Sequence, residues 1–207
     1  MKHHLFSKTL ACAGMSLLAV SCQSSSKVAE QASLPSGEWI SESCESFPNQ
    51  DGSKTYFHRH FIFEGKKWLI NFNTFGDETC KTQLLNVKVG GIMRPSDTSS
   101  KVPGATNVFF TIDQREITPV GAGVLGWLNG GEKGVCDQKG WEVGRAKNIL
   151  ESGCAALGSP TAQQCPGEYD LIKWNGEKLY LGQRTQKMCE KDNWPVAANS
   201  VALIRKK

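Results

Sequence analysis

Two histidines, His58 and His60, are separated by one residue in a segment whose apolar residues recur at every second position. Residues two apart in a β-strand point to the same face of a sheet, so both imidazoles would share a face and could hold a metal ion. The other two histidines are residues 3 and 4, so Glu64 or Asp77 would have to complete the coordination. Two solvent-facing side chains opposite an apolar row explain the spacing with fewer requirements, and a metalloenzyme using this face is kept as an alternative.

Other enzyme signatures are incomplete. Residues 121–126 fit the pattern G-x-G-x-x-G, but a dinucleotide site requires a preceding parallel strand in a βαβ unit and an acidic residue about twenty positions later. No alternation of strands and helices surrounds this motif, so it predicts a glycine-rich turn that leads into a short helix. The chain also lacks the G-x-S-x-G sequence that presents a nucleophilic serine. We therefore predict a protein that is not an enzyme and has no cofactor.

Arg59 is the charged residue with the most informative position. Within residues 56–63, Phe57, Arg59, Phe61 and Phe63 would share one face of a strand. Large aromatic side chains at every second position indicate that this face points toward the core, which places a guanidinium group among aromatic rings. Because an unpaired buried charge is very costly, Arg59 must be paired, stacked or in contact with a ligand.

Two roles for Arg59 follow from this position. In the structural role, the guanidinium stacks on an aromatic ring or forms an ion pair. The candidate partners are Trp39, Glu42, Glu45 and Asp77. In the functional role, it holds the carboxylate or phosphate of an amphipathic ligand, since a guanidinium binds both groups through paired hydrogen bonds. The sequence favours the structural role and leaves the functional one open.

The elements that would position these residues are β-strands. From Gly37 onward, segments with apolar residues at every second position are separated by turns rich in Gly, Asn and Asp. The predicted strands are residues 37–44, 56–63, 68–75, 83–93, 107–113, 115–119, 141–150, 169–174, 179–183 and 201–205. Residues 120–128 are the one predicted helix, and residues 175 and 176 (Asn-Gly) predict a tight hairpin.

Composition and strand number together predict the fold class. The 207 residues carry a net charge of +4, with 39% hydrophobic and 21% charged residues. This balance excludes a wholly disordered chain and provides no basic cluster of the kind that binds nucleic acid. Nine or ten strands with one short helix predict an all-β protein, either a sandwich or an antiparallel β-barrel. We favour a lipocalin-like or related half-open barrel because closure removes exposed strand edges.

The first 21 residues have the features of a lipoprotein signal peptide. Two lysines precede an apolar stretch, residues 10–20, that is too short for a membrane-spanning helix and suits a cleaved signal. Residues 18–22 (LAVSC) resemble the bacterial lipobox, which predicts acylation of Cys22 as the new N-terminus. Gln23 rather than Asp follows, which predicts the outer membrane of the cell envelope. An ordinary signal peptide cut near residue 19 or 21 is the alternative.

After this anchor, residues 22–36 are predicted to form a flexible tether, and residues 37–207 a single domain. The domain contains six cysteines, namely Cys44, Cys80, Cys136, Cys154, Cys165 and Cys189. An even number of cysteines in an exported chain predicts disulfides, although six cysteines allow fifteen pairings. The domain contains no C-x-x-C sequence, and its cysteine spacings match no zinc finger.

A series of spaced segments covers most of the chain. They are GEWISESCE (37–45), RHFIF (59–63), PGAT (103–106), ITPV (117–120), WEVG (141–144), GCAALG (153–158), EYDL (168–171) and LGQR (181–184). Over residues 36–185 the chain resembles the adenomatosis polyposis coli down-regulated domain family, whose animal member has two copies where this chain has one. The resemblance implies a β-barrel-like extracellular domain with an apolar interior that takes a lipid, used in animals to bind lipid-modified Wnt proteins. Residues 37–39 (GEW) also resemble the G-x-W motif of lipocalins.

The cysteine order and this resemblance together predict three disulfides. We expect Cys44 to pair with Cys80, Cys136 with Cys154, and Cys165 with Cys189, so that the domain is stapled by nearest-neighbour bridges. The first two pairs are the cysteines shared with the family, and the third looks like an addition.

We predict that the barrel interior binds a lipid or another apolar or amphipathic molecule. The predicted ligand-binding residues are Phe57, Arg59, Phe61, Phe63, Trp68, Ile70, Phe72 and Phe110. The predicted partners are this ligand and the membrane that holds the N-terminal anchor, with no metal and no nucleic acid. The alternatives are an envelope metalloenzyme that uses His58 and His60, and an adaptor whose outer surface binds a partner protein.

Overall fold

The computed structural model describes residues 34–49, 51–185 and 187–207. The predicted signal peptide, Cys22 and most of the predicted tether lie outside these residues. Within them, the chain forms eleven strands and one short α-helix, α1 (Leu125–Leu128). The strands are β1 (Gly37–Ser41), β2 (Glu45–Pro48), β3 (Lys54–Glu64), β4 (Lys67–Phe75), β5 (Gln83–Thr98), β6 (Ala105–Thr111), β7 (Gln114–Pro119), β8 (Lys147–Asn148), β9 (Gly167–Trp174), β10 (Lys178–Leu181) and β11 (Leu203–Arg205). No helix in this part of the chain has the length and hydropathy needed to span a membrane.

Eight of the strands close into an antiparallel barrel. β3 pairs with β1, and the order continues through β11, β10, β9, β6, β5 and β4 back to β3. The other three strands, β2, β7 and β8, pair with β3, β5 and β7. The predicted all-β antiparallel barrel with one short helix is therefore confirmed, as an eight-stranded barrel with three additional strands.

Strands β3, β4 and β5 continue past the barrel that they help to close. β3 pairs with β1 through residues 60–63 and with β2 through residues 54–57. β5 likewise pairs with β6 through residues 93–98 and with β7 through residues 85–90, and β4 lies between β3 and β5. The protein thus has a closed part, the barrel, and an extension, a sheet in the order β2–β3–β4–β5–β7–β8.

Large apolar side chains fill the closed part. On β3, Phe61 and Phe63 lie directly opposite Ile70 and Trp68 of β4, and Phe61 is also opposite Trp39 of β1. Residues opposite each other in a ladder share a face of the sheet, so these side chains converge inside the barrel. The buried core of the closed part includes Trp39, Phe61, Phe63, Trp68, Met93, Val108, Phe110, Leu179 and Leu203.

Gly91 allows β5 to change partners from β7 to β6. A Cβ atom at this position would lie 2.0 Å from the carbonyl oxygen of Thr111 at the end of β6, so no other residue fits without moving the backbone. The same carbonyl accepts a hydrogen bond of 3.0 Å from the indole N–H of Trp68, which fixes the indole against the end of the closed part.

A second core lies beneath the irregular segment that follows β7. The predicted helix at residues 120–128 is present as a 3₁₀ turn, Ala122–Val124, that continues into α1. Leu128 of α1 packs in a buried cluster with Leu85 and Ile117, which lie on the inward face of the extension. This segment therefore covers the inward face of the extension along β5 and β7.

The strand predicted for residues 141–150 is wrong, because only Lys147–Asn148 extends along β7. Gly140 and Gly144 adopt positive φ angles of 71° and 77°, which turn the chain on both sides of Trp141. The indole of Trp141 is 2% exposed, so its burial comes from a loop that folds inward rather than from an alternating strand.

The structure contains three disulfides, which join Cys44 to Cys80, Cys136 to Cys154, and Cys165 to Cys189. These are the pairs expected from the cysteine order and the family resemblance together. The first links the β1–β2 connection to the β4–β5 connection, and the third links the segments that precede β9 and follow β10. A disulfide typically contributes about 2–4 kcal/mol to stability, so these bridges stabilise the irregular segments that connect the strands.

Candidate functional site

The inward face of the extension is apolar but only half-buried. Phe57 of β3, Ile70 and Phe72 of β4, and Val87 and Val89 of β5 are all partly exposed. They continue the inward face of the closed part, because Ile70 is directly opposite both Phe61 and Val89, and Phe72 is opposite Val87. These five residues are called the open face below. The interior therefore changes along the same strands from a filled core to an accessible apolar surface.

A row of aromatic rings crosses the open face. The rings of Phe57 and Phe72 stack with their centroids 4.7 Å apart and an interplanar angle of 25°. The ring centroid of Phe47, on β2, lies 5.4 Å from that of Phe57, and Phe47 is 43% exposed. The row thus leads from the exposed rim at β2 toward the interior, and it presents a continuous aromatic wall.

The eight residues predicted to bind a ligand fall into three groups. Phe57, Ile70 and Phe72 lie on the open face. Four others pack against each other in the core. The rings of Phe61 and Phe63 stack with their centroids 5.6 Å apart, and the rings of Trp68 and Phe110 are tilted with their centroids 4.8 Å apart. Arg59 forms the third group, and a ligand contact at any of the eight residues stays a prediction.

Arg59 has protein partners for its inward-facing guanidinium group. Its Nε and Nη2 donate to the two carboxylate oxygens of Glu45 at 2.7 and 2.9 Å, and Nη2 also donates to the carbonyl of Val201. Arg59 is 7% exposed and Glu45 is 5% exposed. Trp39, another predicted partner, has Arg205 over its ring instead, at 4.9 Å. This buried ion pair matches the structural role and joins β3 to the start of β2.

A second charged pair faces inward on β9. Glu168 lies directly opposite Phe110 of β6, and both of its carboxylate oxygens accept hydrogen bonds from Arg184, at 2.8 and 2.9 Å. The Glu168 side chain is 18% exposed and that of Arg184 is 66% exposed. Burial, the largest single influence, would raise the pKa of Glu168, but the charge of Arg184, its hydrogen bonds and the charge of Arg115 together hold the pKa below its usual value. Solvent therefore reaches the inward face at this position.

Arg115 connects this pair to the open face. It lies on β7 directly opposite Val89, and it is 2% exposed. One Nη donates to the carbonyl of Pro160, whereas Nε has no hydrogen-bond partner among the described residues. Burial lowers the pKa of Arg115, and the negative charge of Glu168 opposes that shift.

Asp170 is a buried carboxyl group near the same end of the barrel. Its Oδ1 accepts hydrogen bonds of 2.7 Å from the backbone N–H groups of Leu171 and Gly182. The ladder between β9 and β10 ends at Leu181, so the carboxyl group provides the acceptor that the next backbone N–H lacks. Burial raises the pKa of Asp170 to about 7, against the hydrogen bonds from Leu171 and Gly182 that favour its charged form.

The two histidines of the outward face have different surroundings. His60 lies 2.7 Å from a carboxylate oxygen of Glu38, which also accepts a hydrogen bond from a lysine near the C-terminus. His58 lies beside the disulfide of Cys44 and Cys80, and these three residues are the one group in the described part of the chain with metal-ligand atoms close together. Both sulfur atoms are bonded to each other, and His60 is not part of the group.

Sequence reasoning missed several residues of the site. Val87 and Val89 alternate with polar residues on β5, so their direction was available from periodicity once the strand was predicted. Phe47 lies on the four-residue strand β2, which is too short for a periodic pattern. Arg184 lies in an irregular segment after β10, where no sequence pattern indicates the direction of a side chain.

Replacement of Arg59 by Met should lower the free energy of unfolding by about 3–5 kcal/mol, because it leaves the Glu45 carboxylate buried without its partner. Denaturant unfolding measures this change. The control is Lys178→Met, which removes the partner of Glu42 in an ion pair whose side chains are 39% and 44% exposed, and it should cost at most about 1 kcal/mol. Equal effects of the two substitutions would contradict the structural role of Arg59.

Asp170→Asn tests the raised pKa of the buried carboxyl group. The Asp170 carboxyl group binds its proton more tightly in the folded state than in the unfolded state, where its pKa is near 3.8. Stability from this group is therefore fully present below about pH 4 and is lost as the pH rises through about 7. Asn retains the Oδ1 acceptor for both backbone N–H groups and cannot ionise, so the variant should lose less stability than the wild type over this pH range.

Unfolding free energies at about pH 4 and about pH 8 give the comparison for Asp170→Asn. The matched control, Asp170→Ala, removes both hydrogen bonds and should lower stability at each pH by roughly 1–3 kcal/mol. The same loss of stability with pH in the wild type and in Asp170→Asn would show that the carboxyl group has an ordinary pKa.

Comparison with known families places this geometry in context. The family model described as "Adenomatosis polyposis coli down-regulated 1" matches residues 15–192 of the 207. The matched region contains strands β1 to β10, the open face, the inward-facing charged residues and all three disulfides. The chain therefore belongs to the adenomatosis polyposis coli down-regulated 1 family.

Proposed function

We propose that this protein is a non-catalytic binding protein that holds the apolar part of a lipid, or of another amphipathic molecule, on the open face. The observation that carries the proposal is the exposure of Phe57, Ile70, Phe72, Val87 and Val89, which point inward and yet are only half-buried. Apolar side chains at the mouth of a β-barrel are a typical setting for a small-molecule site. Membership of a family whose barrel interior is expected to take a lipid supports the same role.

The size of the hydrophobic effect fits an aliphatic ligand. Burial of one methylene group contributes about 0.8 kcal/mol, so about ten of them give a gross gain of about 8 kcal/mol, the free energy of micromolar binding. The ligand loses translational and rotational freedom on binding, which reduces this gain. The protein loses little side-chain freedom in return, because the rings of Phe57 and Phe72 are already stacked on each other. A chain of this length is therefore the kind of ligand that the open face suits.

The N-terminal anchor is part of the same proposal. Residues 18–22 resemble a lipobox, and an acylated Cys22 would hold the binding domain at an envelope membrane. Such an anchor would keep the open face near a source of lipids without requiring a membrane-spanning segment. The protein would then act at the membrane surface of the cell envelope, with the outer membrane as the expected location.

Filling the open face should block binding. Val87→Trp places an indole opposite Phe72, and it should weaken binding of a fluorescent fatty acid by about tenfold or more, which corresponds to 1.4 kcal/mol. Lys88→Trp adds the same side chain on the opposite face of β5 and should leave the affinity unchanged. Fluorescence titration gives both affinities, and thermal unfolding verifies that the variants are folded. Equal affinities of the two variants would place binding elsewhere, and a wild-type protein that binds no apolar probe would overturn the proposal.

Replacement of Cys22 by Ser tests the anchor. The wild-type protein should fractionate with membranes and carry an acylated N-terminal Cys22, whereas the variant should be released from the membrane or remain uncut because it lacks the thiol that is acylated. Membrane fractionation and intact mass measurement distinguish these forms. A wild-type protein with an unmodified mature N-terminus would contradict the lipoprotein assignment.

A further inference from the structure

We propose that the guanidinium of Arg184, held in place by Glu168, binds the anionic headgroup of the amphipathic ligand, a carboxylate or a phosphate. The inference rests on the proposed function and adds to it the charge of the ligand and the residue that recognises it. Four arginines of the described barrel and extension face inward. The guanidinium of Arg205 lies over the ring of Trp39. The candidates for this role are the other three, Arg59, Arg115 and Arg184, and they differ in what their guanidinium groups can still bind.

The guanidinium groups of Arg59 and Arg115 are buried and already hydrogen-bonded to the protein. Arg59 forms paired hydrogen bonds with Glu45 and is 7% exposed, so a ligand would have to displace a buried carboxylate. Arg115 is 2% exposed and donates to the carbonyl of Pro160. Neither group can meet a headgroup without a rearrangement of the protein around it.

Arg184 combines a fixed position with access to solvent. The two Nη atoms of Arg184 each donate one hydrogen bond to Glu168, which fixes the orientation of the guanidinium plane. An arginine has five N–H donors, so donors remain for a second anion, and the side chain is 66% exposed. A carboxylate or phosphate that approaches along the interior can therefore bind Arg184 without breaking the pair with Glu168.

The charges around Arg184 favour an additional anion. Arg115 and Arg184 supply two positive charges, and the ionised carboxylate of Glu168 supplies one negative charge. Burial raises the pKa of the remaining acid, Asp170, to about 7, so this carboxyl group is mostly neutral only at pH values well below 7. At such pH values the inward-facing cluster of Arg115, Arg184, Glu168 and Asp170 has a surplus positive charge, and a hydrogen bond between the Arg184 guanidinium and an anion is charge-assisted.

The cluster also adjoins the open face, which a headgroup site requires. Arg115 lies directly opposite Val89 of the open face, and Glu168 is close enough for its charge to affect the pKa of Arg115. Glu168 is in turn opposite Phe110, whose ring contacts Trp68 at the end of the filled core. An aliphatic chain on the open face can therefore have its polar end at this cluster.

Palmitate and hexadecanol have aliphatic chains of the same length and different headgroups, so comparing their affinities separates the contribution of the headgroup from that of the chain. Competition with a fluorescent fatty acid gives their affinities for the wild-type protein and for Arg184→Gln. We expect palmitate to bind the wild type roughly tenfold more tightly than hexadecanol, and this preference should disappear in Arg184→Gln while the affinity for hexadecanol stays unchanged. Arg184→Lys, which keeps the charge, should retain part of the preference for palmitate.

The matched control is Arg145→Gln, which removes another exposed arginine that is paired with a glutamate, Glu142, and it should change neither affinity. Equal binding of palmitate and hexadecanol to the wild type, or equal weakening of both by Arg184→Gln, would overturn the headgroup site while leaving the proposed function intact. Binding of neither ligand would overturn the proposed function itself. Inorganic phosphate that competes as strongly as palmitate would show a site for free anions and would overturn the assignment to a lipid headgroup.

Discussion

The unequal lengths of the barrel strands determine where the interior is open. β3, β4 and β5 have 11, 9 and 16 residues, whereas β1, β10 and β11 have 5, 4 and 3. Where the short strands oppose the long ones, side chains from both walls meet and fill the barrel. Beyond the short strands, the inward side chains of β3 and β4 lack this opposite wall, and those of β5 are partly covered by the segment that follows β7. The same alternating pattern that builds the core therefore produces the open face.

The inward-facing charges follow from the same geometry. At the margin of the closed part, Arg59 is buried and needs Glu45, because an isolated buried charge would be too costly. Asp170 is buried without a cationic partner in contact and instead shifts its pKa upward, which favours its neutral form. Glu168 and Arg184 lie where solvent enters, and they remain charged. The degree of burial thus separates the charged residues that stabilise the fold from Arg184, which is proposed to bind a ligand.

The sequence was sufficient for the direction of side chains but not for their burial. Alternation in residues 56–63 correctly placed Phe57 and Arg59 on the inward face, because a regular strand has a period of two. Whether an inward residue is filled core or open surface depends on strands distant in the chain, and the short extent of β1 was not apparent in residues 37–44. Arg184 could not be placed because a side chain in an irregular segment has no periodic constraint.

Photocrosslinking with a diazirine-bearing fatty acid, followed by peptide mapping of the full-length protein, tests most directly whether the open face is the binding site. The account predicts that the label is inserted at inward residues of β3 to β5, above all Phe72 and Val87, and that unlabelled palmitate suppresses it. A label concentrated instead on exposed apolar residues outside the barrel interior, such as Trp127 and Val196, which are 45% and 69% exposed, would contradict it.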